Sequence, residues 1–563
     1  MVERSDRWRA VAAVLVEALA LVALALALDL AGNGRTGLWD RDEPRYAGAV
    51  REMHARGDWI RPWFNGEPRY HKPILIYWLM GAATAALGDN PFAARLVSVL
   101  AGSGVVLLTW LLARRMVGRS AGLLAGLMTA CAPALVAQSK LATTDALLVF
   151  EILGCLACLW ELSVRRSRVV AYTFWLVLAL ATLTKGPVAA GLIAAAVLAG
   201  WASGWRPPSF QRLEWRGGLL AFALVTLPWY VVITVLSRGA FLRFAVGDQL
   251  LGHVTSEMER HGGFPGFYAV GSLLAFQPWA ALAPAALAAA WGRRRTRPEL
   301  AFLLGWTIGP LLLLECFRTK LLHYYLPAWP AWAILAAWLV ETLEADVANI
   351  RRHRFGRLAL GLLLGFGLTL AVVLTGGAVV APFAARAPLV LIAGLVAAGT
   401  LWGSTMLERG LPRRAIHALT ACWACALFAA GGWLLPALEP LRTSRWVGER
   451  LKTIAAETGL EPVLLDYQPP GVIYAFGRPM ATAHDKAGFF KHLEGAEAVL
   501  TVLDPAEIPK IERKYDLVIK PLERVEHTPQ SPFRRESLVV ARVARGPAAE
   551  VAADSAREDQ TRR

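Results

Sequence analysis

What this sequence lacks is charge: only 18% of its 563 residues are Asp, Glu, Lys or Arg, against 56% hydrophobic, and mean hydropathy is +0.43. A soluble domain carries about a quarter charged residues to wet its surface, so a soluble globular protein is excluded. Acids are the scarcer sign, which leaves a formal net charge of +16. A nucleic-acid binder would gather that excess into a surface stripe, whereas here the cations punctuate apolar runs. Cysteine is also scarce. The six cysteines fall inside apolar runs, Cys155/Cys158 and Cys422/Cys425 at CxxC spacing. Redox or zinc work needs thiol access or an aqueous path, so they read as small residues packing between membrane helices. No repeat at solenoid spacing is present.

What is present in abundance is long apolar sequence. A bilayer core takes roughly 20 apolar residues per helix. Such runs lie near 10–31, 92–113, 120–138, 145–163, 169–185, 187–203, 217–236, 267–290, 300–316, 325–342, 357–379, 387–406 and 415–435, about thirteen passes. The first follows Arg4, Arg7 and Arg9 and exceeds a signal-peptide core, which predicts an uncleaved anchor with a cytoplasmic N-terminus. The shorter segment 73–87, flanked by Tyr70, Tyr77 and Trp78, is assigned to the interface as a juxtamembrane helix. With it uncrossed, the basic clusters at 114–119, 165–168, 206–216, 293–297, 351–357 and 409–414 share the cytoplasmic face with the N-terminus.

That assignment sends the polar residues at the edges of apolar runs to the opposite face. They are Asp42, Glu43, His71, Lys72, Asp145, Lys185, His253, His261, Lys320 and Tyr324. Ionisable groups at membrane depth are costly and usually functional. Asp42 and Glu43 can serve a reacting hydroxyl or open the helix that Pro44 begins. Asp145 in LATTDALLVF can act in chemistry or belong to a helix cap with Thr143 or Thr144. Three lysines converging on one face, Lys72, Lys185 and Lys320, suit a phosphate; singly, each would snorkel to headgroups. Tyr324 can bond that phosphate or sit in an aromatic belt, and the histidines fit no compact zinc spacing.

After residue 435 the pattern changes. Short β-rich runs (VLLDY, AVLTVLD, LVIKPL, SLVVARV) alternate with helical stretches over 446–545, which predicts a small α/β domain, periplasmic by the odd number of passes. The expected divisions are 1–440 for the membrane domain, with 32–90 as its first external loop, 441–545 for the α/β domain, and 546–563 as a disordered tail.

The stretch DRDEPRYAGAVREMHARGDWIRPWFNGEPRYHKPILIYWL, with TTDALL, LTKG and KLLHYYLP downstream, resembles the bacterial lipid A aminoarabinose transferases. Those belong to the protein O-mannosyltransferase superfamily, integral-membrane glycosyltransferases of the GT-C type. The resemblance covers most of residues 1–435. It implies an inner-membrane enzyme that moves a sugar from a polyprenyl-phosphate donor to a lipid A-like or other acceptor at the periplasmic face, inverting the anomeric centre. It also implies Asp42 as the loop acid, beside Glu43, and Asp145 as the second acidic position. Lys72 and Tyr324, with Lys185 and Lys320, become donor-phosphate groups. Relatives place a metal-binding Glu before the Lys-Pro pair; this chain has His71 there, with His261 the match for a second ligand, so a zinc or magnesium site would need a changed donor set. Ile74 replaces the second proline of the usual motif. The rival readings are a flippase of lipid-linked sugars, a protein O-mannosyltransferase-like enzyme, and an assembly protein that binds a partner. A transporter should show two matched halves with broken helices, and none is evident.

Overall fold

The computed structural model describes residues 2–40, 42–245, 247, 262–345, 354–465, 469–483, 486–493, 496–515, 517–528 and 536–545. Its chain divides into two compact units. The first is Met1–Thr36, Trp59–Arg61 and Tyr70–Ala437, and the second is Gly37–Asp58, Pro62–Arg69 and Leu438–Arg563. The expected tail lies outside the described residues.

The first unit is helical. Among the described residues ten helices are long and apolar enough to cross a membrane, eleven if the bent pair Arg119–Ala130 and Pro133–Ser139 is one span. The chain is a multi-pass membrane protein. The difference from about thirteen expected passes arises at three runs. The run 120–138 is broken by a 61° bend where Pro133 cannot donate a backbone hydrogen bond. Val188–Ser203 has 16 residues. At 1.5 Å per residue it spans about 24 Å, short of the roughly 30 Å hydrocarbon core. The run 267–290 becomes Phe267–Ala275, a 3₁₀ turn Trp279–Leu282 and Ala283–Arg293, interrupted at Pro278 and Pro284. Leu75–Leu87, assigned above to the interface, is also one of the shorter apolar helices.

Small residues let these helices approach. A Cβ on Gly305 would lie 2.2 Å from backbone atoms of Gly200, and one on Gly309 would lie 2.1 Å from the Ala195 carbonyl oxygen. The Gly-Trp-Thr-Ile-Gly sequence of Pro298–Glu315 is thus a small-xxx-small seam against Val188–Ser203. Arginines at the helix ends find acids: Glu17 lies 2.9 Å from Arg114 and 2.5 Å from Arg119, and Arg413 pairs with Glu341 at 2.5 Å.

In the second unit, α1 (Asp42–Arg56) is followed by the hairpin β1 (Trp63–Phe64) and β2 (Glu67–Pro68). Asn65 and Gly66 have φ of 57° and 79°, the two-residue turn that an Asn-Gly pair favours. Farther along, β3 (Val463–Leu465) pairs in parallel with β4 (Ala481–Ala483). β5 (Ala498–Leu503), β6 (Leu517–Thr528) and β7 (Glu536–Arg545) form an antiparallel sheet in the order β5-β7-β6. Both faces of β5 are covered. Leu500 and Val502 meet Val447 and Leu451 of the helix Thr443–Thr458, while Val499 and Leu503 meet Phe489 and Ile511. The four strand runs and both helical stretches foreseen from sequence lie here. The loop segments 37–58 and 62–69 cluster with this α/β body, and Phe64 packs against its core.

Candidate active site

The helices α2 (Asp145–Val164) and α3 (Arg168–Lys185) are joined by a short turn, so the first residue of one lies level with the last of the other. Asp145 and Lys185 occupy those two positions and meet at 2.5 Å, with side chains only 15% and 14% exposed. Each charge also suits its helix end, an acid at the N-terminus and a base at the C-terminus. Thr144, at the cap position of α2, makes no side-chain cap bond, and Asp145 is committed to the ion pair.

A 3₁₀ segment, Leu322–Ala328, brings two more groups. His323 Nε2 lies 3.9 Å from Asp145, and the Tyr324 ring centroid is 5.0 Å from the Lys185 ammonium and 4.9 Å from the His323 ring. Lys72 is near enough to act electrostatically on Asp145. The structure thus brings together Asp145, Lys185, Tyr324 and Lys72 from four separate parts of the chain. Two ammonium groups and a phenol beside a carboxylate that positions one of them make an environment suited to an anion.

The remaining expected residues are placed as follows. Lys320 is buried and bonded to the Glu315 carboxylate and, at 3.3 Å, to the Phe264 carbonyl; Glu315 also accepts the backbone N–H groups of Gly266 and Tyr268. The His71 ring packs 4.8 Å from that of Phe244. His253 and His261 lie outside the described residues. Glu43 is buried and accepts the Trp39 N–H at 2.6 Å, fastening the start of α1. Asp42, the first residue of α1, is 68% exposed and 3.8 Å from Arg45. Among the described residues no group of three His, Cys, Asp or Glu could hold a metal ion.

Two groups escaped the sequence reading. His323 stood inside the quoted KLLHYYLP, between the two residues singled out there. Glu151, two turns into α2, is buried and accepts the Thr184 hydroxyl at 2.9 Å. An acid inside an apolar run was the signal for it.

Comparison with known proteins bears on this arrangement. Residues 14–239 match the family model for dolichyl-phosphate-mannose-protein mannosyltransferase. The undecaprenyl phosphate-alpha-4-amino-4-deoxy-L-arabinose arabinosyl transferase of Pseudomonas paraeruginosa is 32% identical over 416 residues, 72% of each chain. Among solved structures, ArnT from Cupriavidus metallidurans bound to undecaprenyl phosphate superposes with a TM-score of 0.70 at 21% identity, covering 93% of this chain and 97% of that one. The Archaeoglobus fulgidus oligosaccharyltransferase in its apo form gives 0.50 at 13% identity, covering 90% and 69%.

The fold is that of a GT-C membrane glycosyltransferase, an α-helical polytopic body with a small C-terminal α/β domain. Within that class, the chain belongs to the family of the undecaprenyl phosphate-aminoarabinose arabinosyl transferases.

Proposed function

We propose that this protein transfers a sugar from a polyprenyl-phosphate donor to a lipid A-like lipid at the periplasmic face of the inner membrane. The bond from the anomeric carbon to the donor phosphate breaks, a bond from that carbon to an acceptor oxygen forms, and free polyprenyl phosphate leaves. The observation that carries this is the cluster of Asp145, Lys185, Tyr324 and Lys72 at the ends of apolar helices. Lys72 and Lys185 stabilise the phosphate as it takes up the bonding electrons, so the leaving group needs no acid. Asp145 holds Lys185 in position, and Tyr324 lines the same cation. On the acceptor side the resemblance of its loop supports Asp42 as the acid that orients the hydroxyl and takes its proton, and a single displacement inverts the anomeric centre. No step of this scheme passes through a metal.

The test is a reaction with protein in lipid nanodiscs, a polyprenyl-phosphate aminosugar and a lipid A acceptor, read by mass spectrometry. Glycosylated acceptor and free polyprenyl phosphate should appear in equal amounts. Donor that crosses a proteoliposome membrane unchanged, with no phosphate lipid released, would instead establish a flippase.

A further inference from the structure

Within the second unit, α1 is fastened to residues more than 400 positions away in sequence. Just before it, Asp40 Oδ1 accepts the Gly471 N–H at 2.6 Å. From its middle, Arg51 donates to the Tyr474 carbonyl at 2.6 Å, its guanidinium 4.0 Å from the Tyr474 ring centroid. Glu52 accepts the N–H groups of Asn65 and Gly66 at 2.5 and 3.1 Å, which ties α1 to its hairpin. Asn65 in turn pairs with the Met480 backbone in both directions, at 2.9 and 2.7 Å. Ahead of these, Arg442 donates to the Gly37 and Leu38 carbonyls, and Glu439 accepts the Gly37 N–H at 2.9 Å.

Gly471 and Tyr474 lie on one short helix, Pro470–Phe476. A helix leaves its first N–H and last C=O groups without internal partners. Here an acid from the loop satisfies one end and a base from the loop satisfies the other, each with the sign that end prefers. The approach at the first end is close: a Cβ on Gly471 would lie 2.6 Å from the Asp40 carboxylate. All of these bonds use a backbone group on one side, so they fix the position of α1 rather than recognise particular side chains.

We propose that the C-terminal α/β domain is the mount of α1, with Asp40, Arg51 and Asn65 as positioning residues for the transfer step. The role rests on the reading of Asp42 given above, since Asp42 is the residue that α1 carries.

The test uses the full chain in nanodiscs, with Gly471→Ala and Asn65→Ala compared with the parent by hydrogen exchange and by kinetics. Exchange over 42–56 should rise by about tenfold or more while β5 and β7 keep their protection. Turnover should fall by about tenfold or more, with the donor KM within about twofold, because orientation is lost rather than binding. Should Gly471→Ala also loosen β5 and β7, Asn65→Ala, which adds no atoms, decides alone. Unchanged exchange over 42–56 overturns the mount. So does loosened exchange with full turnover, provided Asp42→Asn, made in parallel, is inactive. A fully active Asp42→Asn protein instead removes the reading of Asp42 and the catalytic part of the mount, leaving the exchange result to stand separately.

Discussion

Lys185 and Lys320 look alike in the sequence, each a lone base where an apolar run meets the polar edge, and the structure separates them by their partners. Lys185 pairs with Asp145 beside a second lysine and a tyrosine; Lys320 pairs with Glu315, which is already bonded to two backbone N–H groups. A phosphate-binding lysine acts most strongly as the leaving group gains charge. Lys185→Ala should therefore lower turnover by about 10²–10³-fold, measured as release of polyprenyl phosphate from saturating donor. Lys320→Met should leave the donor KM within about twofold but lower resistance to thermal inactivation in detergent. A half-satisfied Glu315 would cost about 1–3 kcal/mol, less than a fully buried orphan charge because that carboxylate is 20% exposed and keeps its N–H partners. A raised donor KM in Lys320→Met would restore it to the phosphate site. The acids and lysines were legible because ionisable groups stand out against an apolar background. His323 was not, since its neighbours in KLLHYYLP drew the reading and only the 3₁₀ turn shows which side chain faces Asp145.

At the scale of elements, the meeting of Asp145 with Lys185 follows from length alone. Helices of 20 and 18 residues joined by a tight turn put the start of the first beside the end of the second. Hydropathy registers apolar content and is blind to a bend at Pro133 or Pro278, so a length-and-composition test picks out ten helices among the described residues where the sequence has about thirteen apolar runs. The glycine seam makes a testable case of element packing. Gly309→Val would drive a branched side chain into backbone at a position where even Cβ has 2.1 Å, and should abolish the folded, monodisperse fraction in detergent size-exclusion chromatography. Gly361→Val is the control. It lies on the exposed face of Arg354–Val380 with nothing within 4 Å of an added Cβ, and should leave that fraction unchanged. If both variants behave alike, the seam at 305–309 carries no packing role.

For the whole molecule, the strands and helices of the α/β body were legible from local alternation, but its membership was not. Nothing in the sequence around 37–69 announces that Asn65 will pair with Met480, 415 residues on, because such bonds use backbone groups that every residue has. Topology, by contrast, is a property of the whole chain that sequence does encode, through where arginines stand. Six basic clusters share the cytoplasmic face with the N-terminus only if the helix Leu75–Leu87 stays out of the count of crossings; making it a span would turn all six outward against the charge rule. The two assignments give opposite results in one experiment. With Leu75–Leu87 uncrossed, alkaline phosphatase fused after Arg545 should be active, while fusions after Arg212, Arg295 and Arg413 should be inactive and a cytoplasmic reporter at those points active; with it crossing, the pattern reverses. Asp145 and Lys185 lie at the ends of α2 and α3 away from the turn with Arg165, Arg166 and Arg168, so an active phosphatase fused at that turn would send the pair to the cytoplasm. Transfer to a periplasmic lipid would then be impossible at this cluster, whatever its chemistry.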